Sequence, residues 1–294
     1  MPSWKRLIRF TSGADETVLF GEPIVDDKDD VSKIYETGNL KARVIRVGDD
    51  NDIYSNQALV TDIILPATKL LGPLAAKQVS IIRCIGLNYL KHILETGRTP
   101  PPYPSLFFKP SSAVDDYGAR TPVPKVAQDQ QSDYEGEFVI VLGKTGKDIP
   151  IDEALDYVAG YTVGDDMSAR KWQRNPELAG SVPQWCFSKG FDKSAPLGPC
   201  IVSKDILGDG SGLILQTRVN GELRQDSNTD DFLFGVAKLI AFLSQGTTLE
   251  KGSIIMTGTP GGVGFAMGKY LQDGDVVEIY IEKIGTLKHR IVYE

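Results

Sequence analysis

The segment that most restricts this chain is Asp133-Tyr134-Glu135-Gly136-Glu137 running into Phe138-Val139-Ile140-Val141-Leu142. An unbroken apolar, β-branched run of this kind reads as a strand covered on both faces. Side chains alternate along a strand, so Asp133, Glu135 and Glu137 are expected on one side of it. Carboxylates gathered there repel, and each costs several kcal/mol of desolvation unless a cation or protons compensate. A hard divalent metal is the simplest compensation. Outward-facing charges on a half-exposed strand are the other reading.

A third carboxylate tilts the balance toward the metal. Asp165-Asp166-Met167-Ser168-Ala169-Arg170-Lys171-Trp172-Gln173 follows Tyr161-Thr162-Val163, which places Asp166 at a strand end or turn. Three carboxylates completed by waters suit octahedral Mg²⁺ or Mn²⁺. Zinc prefers histidine and cysteine, and the chain has only two of the first and three of the second.

Of the histidines, His289 lies in a charged terminal strand and reads as a surface residue. Asn88, His92 and Glu95 share one helical face at i, i+4 and i+7, opposite Leu87, Leu90, Ile93 and Leu94. A glutamate three residues beyond a histidine can fix its tautomer and raise its basicity, as a general base needs. A solvated polar face gives the same pattern. Lys109, after Phe107-Phe108, and Lys189, within Trp185-Cys186-Phe187-Ser188-Lys189-Gly190-Phe191, have aromatic neighbours. Such cations can receive a substrate carboxylate or a developing enolate, or can snorkel at the surface. Ile254-Ile255-Met256 runs into Thr257-Gly258-Thr259-Pro260-Gly261-Gly262-Val263-Gly264, whose amides can cradle an anion or merely turn the chain. Without the P-loop lysine or a dinucleotide-binding helix, it is no nucleotide signature.

The 294 residues allow one or two domains. Residues 1–75 read as a small N-terminal domain of short strands and turns, with a weak helical stretch from Asp62 to Leu71. Residues 76–294 read as the main domain. It starts with a strand over 79–86 and a helix ended by Gly97, followed by an extended link from Pro100 to Pro104. Short helices are expected at 152–157 and 230–244, and Asn220-Gly221 marks a two-residue hairpin turn. Strands at 276–281 and 287–292 close the chain. Many strands with few short helices predict an α+β, β-rich, strongly curved fold. Net charge is −7, and neither acidic patch, at 26–30 or 49–52, adjoins a basic or aromatic stripe, which argues against nucleic acid as a partner. No apolar run reaches the roughly 18 residues of a membrane span. The sparse, unpaired cysteines fit a reducing compartment, and the expected location is the cytoplasm.

Taken in order, these stretches resemble the fumarylacetoacetate hydrolase family. The resemblance rests on Gly86-Leu87-Asn88-Tyr89 with His92 and Glu95, on Phe108-Lys109-Pro110, and on Asp133 to Glu137. It continues through Asp166-Met167-Ser168-Ala169-Arg170, Lys189 with Pro196-Leu197-Gly198-Pro199, Val219-Asn220-Gly221-Glu222, Thr257-Gly258-Thr259-Pro260 and Gly274-Asp275. It spans about residues 76 to 294 and is strongest for short eukaryotic members similar to acylpyruvases and oxaloacetate-processing proteins.

The resemblance implies a mixed β-roll or sandwich core around a deep metal pocket, in a homodimer. It implies Mg²⁺ or Mn²⁺ on Glu135, Glu137 and Asp166, with His92 and Glu95 as the catalytic pair. Lys189 would support a negative intermediate, and Lys109, Arg170, Gln173 and Thr259 would meet substrate. Three positions depart from the family pattern: Lys171, Ser188 and Asp165. The implied activity is on β-keto acids or acylpyruvates through an enolate, by C–C hydrolysis or oxaloacetate decarboxylation. Keto–enol tautomerisation of oxaloacetate, a biosynthetic β-diketone hydrolase or decarboxylase, and a non-catalytic metal-binding homologue are the alternatives.

Overall fold

The computed structural model describes residues 3–13, 16–48, 52–95 and 97–294, and for Glu95 the backbone only. A 12-stranded sheet carries the architecture. Its main path runs Leu59–Pro66, Lys41–Arg46, Val18–Pro23, Arg6–Thr11, Ala195–Ser203, Val158–Asp165, Gly136–Leu142, Ile254–Met256, Ile82–Gly86 and Ser105–Lys109, with Lys69–Leu71 added on Arg6–Thr11 and Val114–Asp115 on Ala195–Ser203. A 5-stranded sheet, ordered Glu222–Asn228, Ile214–Val219, Val276–Ile281, Gly285–Tyr293 and Arg120–Val123, packs against it. Helices are few and short, so the fold is strand-rich as expected.

Gly136–Leu142 is buried at every position. Phe138, Ile140 and Leu142 enter one hydrophobic core, while Val139 and Val141 enter a second on the opposite face. Alternating side chains thus serve two cores, which is why the run contains no polar residue after Glu137. The strand lies between Val158–Asp165 and Ile254–Met256, both antiparallel to it. This brings Asp166 and the glycine-rich loop to the same end of the sheet as Glu137.

The hairpin at Asn220-Gly221 forms as read, with φ of +51° and +81° at the two turn residues. Other expectations need correction. The stretch from Asp62 to Leu71 is not helical: Leu59–Pro66 pairs with Lys41–Arg46, and Lys69–Leu71 pairs with Arg6–Thr11. β-Branched Val60, Thr61, Ile63 and Ile64 lose rotamer freedom in a helix, and Pro66 cannot continue one. Of 230–244 only Val236–Leu243 is α-helical. The backbone just before it is bonded elsewhere: Leu233 N–H donates to Asn88 O and Phe234 N–H to Asn88 Oδ1, both at 2.8 Å. The helix expected at 152–157 is a 3₁₀ turn, Ala154–Tyr157. Arg6–Thr11 joins the large sheet through Ala195–Ser203, so residues from both sides of position 75 share one sheet.

Candidate metal centre and cavity

The carboxylate segment is not one continuous strand. Ser132–Asp133 pairs with Ser168–Ala169, the ladder resumes at Gly136, and Tyr134 and Glu135 lie between. Side chains replace the missing ladder partners: Glu135 N–H donates to Asp165 Oδ1 at 2.8 Å and Gly136 N–H to Gln225 Oε1 at 3.0 Å. Gly136 is required here, since a Cβ would lie 2.3 Å from Thr217 Oγ1.

The break redirects Asp133, which was expected beside Glu135 and Glu137. Its carboxylate instead accepts from Arg170 Nε and Gly264 N–H at 2.7 Å, and from Phe265 N–H at 2.9 Å. Glu135, Glu137 and Asp166 do converge, each offering an oxygen within 4.8 Å of the others.

Cations surround this cluster. Lys109 Nζ lies 2.7 Å from Asp166 Oδ1, and Lys189 Nζ lies 2.6 Å from Asp166 Oδ2 and 2.8 Å from Glu135 Oε2. Arg170 Nη2 is 2.6 Å from Glu135 Oε1, an ion pair off the line of a good hydrogen bond. Burial pushes the Glu135 carboxyl up, but Lys189 and Arg170 outweigh it and hold the group at about 2. Burial pulls the Lys189 ammonium down, yet Asp166 and Glu135 leave it raised.

Glu137 is the exception. Its Oε2 accepts from Gly258 N–H at 2.7 Å, while its buried Oε1 has no partner among the described residues. Burial, then repulsion from Asp166 and Glu135, raises its proton affinity well above the ordinary carboxylate range. A buried carboxylate oxygen with nothing to bind, beside two more carboxylates, is the donor set of a hard cation. The residues present therefore fit Mg²⁺ or Mn²⁺.

A cavity of about 250 Å³ opens beside the cluster, lined by His92, Glu135, Arg170, Gln173, Lys189 and Thr259 among others. Arg170 Nη1 donates to Gln173 Oε1 at 3.0 Å, and Thr259 Oγ1 donates to Gly136 O at 2.9 Å. Lys109, expected to touch substrate, is fully buried on Asp166, Met167 O and Ser194 O and does not line this cavity. The glycine-rich loop does cradle anions, but they are the protein's own carboxylates, Glu137 and Asp133.

The helix carrying His92 is Leu90–Glu95, shorter than the pattern suggested, because Leu87 takes a left-handed φ of +56°. Asn88 consequently leaves the His92 face. It is buried and donates to Phe234 O and Thr257 O, tying this segment to the glycine-rich loop. The side chain of Glu95, the expected partner of His92, lies outside the described residues.

Two features escaped the sequence reading. Arg98 and Arg174 also line the cavity, with Arg174 stacked 4.7 Å above the Phe265 ring. His289, expected at the surface, is 1% exposed, and its Nε2 lies 2.9 Å from Asp165 Oδ2. A signal for the second was present: His289 alternates with Leu287 and Ile291, both buried, so it shares their inward face.

With this geometry established, comparison with known proteins gives the class. A family model described as fumarylacetoacetate (FAA) hydrolase C-terminal matches residues 81–292, and the chain belongs to this family. It is 40% identical to the caffeoylpyruvate hydrolase of Neonothopanus nambi, over 99% of this chain and 94% of that protein. The structure of 2-hydroxyhepta-2,4-diene-1,7-dioate isomerase from Mycobacterium marinum superimposes with a TM-score of 0.79 at 32% identity, covering 99% of both chains. Fumarylpyruvate hydrolase from Pseudomonas aeruginosa, solved in complex with Mn²⁺ and pyruvate, gives a TM-score of 0.65 at 32% identity over 80% of this chain and 93% of its own.

Proposed function

We propose that this chain is a metal-dependent enzyme that hydrolyses a C–C bond in an acylpyruvate or related β-keto acid through an enolate. The observation that carries this reading is the unpartnered, buried Oε1 of Glu137 within a carboxylate cluster that borders a cation-lined cavity. A hydrolase with a pyruvoyl substrate in its name, similar over nearly the whole chain, and a neighbour holding Mn²⁺ with pyruvate support it.

Glu135, Glu137 and Asp166 are the proposed ligands of Mg²⁺ or Mn²⁺, and Lys109 holds Asp166 from behind rather than meeting substrate. The bound ion supplies Lewis acidity toward the 2-keto acid end of the substrate. Arg170, whose orientation is fixed by Asp133 and Gln173, receives the substrate carboxylate, with Thr259 on the same wall. His92, with Glu95 as its proposed catalytic partner, removes a proton from water as its oxygen attacks the distal carbonyl. The C–C bond then breaks with its electron pair left on the pyruvate side, and the Lys189 ammonium stabilises the resulting enolate. His92 can return the proton to that carbon, which completes the balance.

A second reading, decarboxylation or tautomerisation of oxaloacetate, is favoured by Arg98 and Arg174, two further cations that line the cavity. A substrate with two carboxylates would use both ends of such a site. Assays of acetylpyruvate, fumarylpyruvate and oxaloacetate with Mn²⁺, following cleavage product, CO₂ and enol absorbance separately, decide between them. Turnover that survives exhaustive metal removal contradicts both.

Residues 76–294 are proposed to carry the chemistry and residues 1–75 to form the smaller unit. A homodimer and a cytoplasmic location complete the reading. Exposed Leu106 and Phe108 on the sheet-edge strand Ser105–Lys109, with Phe187 exposed on the helix Trp185–Lys189, support the dimer. Sedimentation at micromolar concentration tests it. Cys84, Cys186 and Cys200 are free thiols, consistent with a reducing compartment. Among the described residues no helix is long and apolar enough to cross a membrane.

A further inference from the structure

Glu135 sits where the strand is broken, between the ladder that ends at Asp133 and the one that resumes at Gly136. Its N–H is held by the Asp165 side chain at 2.8 Å, and its carbonyl accepts from Asp166 N–H at 2.9 Å. Two of the three clustered carboxylates are therefore oriented through the Asp165-Asp166 pair. The Asp165 side chain is in turn held by His289, and both side chains are 0% exposed. His289 belongs to Gly285–Tyr293 of the 5-stranded sheet, so this contact joins the second sheet to the cluster in the first.

The hydrogen-bond pattern assigns the roles within the pair. Asp165 Oδ1 is taken by Glu135 N–H, and Oδ2 faces His289 Nε2 at 2.9 Å. His289 Nδ1 is buried with no partner among the described residues. A carboxylate oxygen accepts, so Nε2 carries the hydrogen and donates to Asp165 Oδ2. In that state His289 donates one hydrogen bond, and its whole effect falls on the orientation of Asp165.

We propose that His289 is a positioning residue for the metal centre: through Asp165 it fixes the backbone of Glu135 and thereby the geometry of the carboxylate cluster. The inference rests on the proposed metal site and extends it beyond the ligands and the cations that touch them. Residues that orient a ligand in this way typically change metal affinity by about 10–100-fold when removed.

The test uses the full chain, stripped of metal and titrated calorimetrically with Mn²⁺, alongside thermal unfolding with and without the ion. His289→Leu keeps apolar volume but removes the donor, whereas His289→Gln places an amide N–H near the position of Nε2. The expected result is Mn²⁺ affinity lower by about 10–100-fold in H289L and largely restored in H289Q. Loss of thermal stability with unchanged affinity in both variants would mean a structural residue only, and would overturn the proposal. Equal weakening in H289L and H289Q would overturn it too, because the donor would then be irrelevant. If H289L fails to fold, the pair Asp165→Asn and Asp165→Leu replaces it. Asn preserves an acceptor for Glu135 N–H and should bind Mn²⁺ more tightly than Leu, and equal affinities would count against the proposal. A wild-type chain that binds no Mn²⁺ would defeat the metal reading itself, an outcome distinct from wild-type binding that the variants leave untouched.

Discussion

The carboxylate cluster and the His92 segment border one cavity but are held by opposite means. Glu135 and Asp166 are fixed by Lys109, Lys189 and Arg170, all nearly or fully buried, and by the Asp165 side chain. His92 rides on a six-residue helix whose Leu90 and Leu94 are exposed and which is anchored by buried Ile93 and by Tyr89 just before it. One region is rigid because every displaced charge would be left unpaired in a dry interior. The other can shift at the cost of few buried contacts. On the proposed reading the first region binds the metal and the second transfers the proton, and the contrast makes the two separable by mutation.

The sharpest break in that comparison comes from Asp166→Ala, which leaves both Lys109 and Lys189 short of a buried partner. Mn²⁺ binding should disappear and unfolding stability should fall by about 3–5 kcal/mol, read by calorimetry and denaturant titration. His92→Ala should do the reverse. Turnover should drop about 10²–10⁴-fold while Mn²⁺ affinity and melting temperature stay near wild type. A large loss of stability in this variant would erase the distinction between the regions.

Arg98→Gln and Arg174→Gln probe the cavity between them. If the substrate carries a second carboxylate, each should weaken 2-oxoglutarate binding to the Mn²⁺-loaded protein about tenfold or more, and 2-oxopentanoate far less. Equal effects on the two ligands would favour a substrate with one acid group.

The smallest effect is on pH dependence. The raised proton affinity of Glu137 means the folded, metal-free chain keeps a proton that the unfolded chain has released above the ordinary value of 4.5. Stability of the metal-free protein should therefore decline as pH rises above that value toward the raised one. Mn²⁺ affinity should change the other way, weakening as pH falls, because proton and ion compete for the same carboxylate. Melting curves across pH with and without Mn²⁺ would show the two trends diverge.

Much of this was legible in the sequence because it depended on local pattern. The apolar run after Glu137, the Asn220-Gly221 turn and the closing strands follow from periodicity and backbone preference. The site residues were readable as a set only through their order along the chain, since no local rule brings Asp166 to Glu137. What was not legible depended on tertiary partners. Asp133 was misplaced because the strand breaks at Tyr134, where Asp165 and Gln225 side chains substitute for a ladder. Lys109 carries an alternation that fits either face, and only the position of Asp166 shows that it points inward. The Asp62 to Leu71 stretch was misjudged: β-branched Ile63 and Ile64 with Pro66 disfavour a helix, and pairing with Lys41–Arg46 holds the first part extended. Arg98 and Arg174 have no motif at all; a cavity makes them neighbours.

The central claim is that Glu135, Glu137 and Asp166 together grip a divalent ion, and calorimetric titration of Mn²⁺ into the stripped protein tests it most directly. In buffers of differing ionisation heat, the account predicts a single ion per chain with release of about one proton, from Glu137, at pH values below its raised one. Glu137→Gln should abolish the proton release and most of the affinity. Binding that is absent in the wild type, or unchanged in E137Q, would contradict the account.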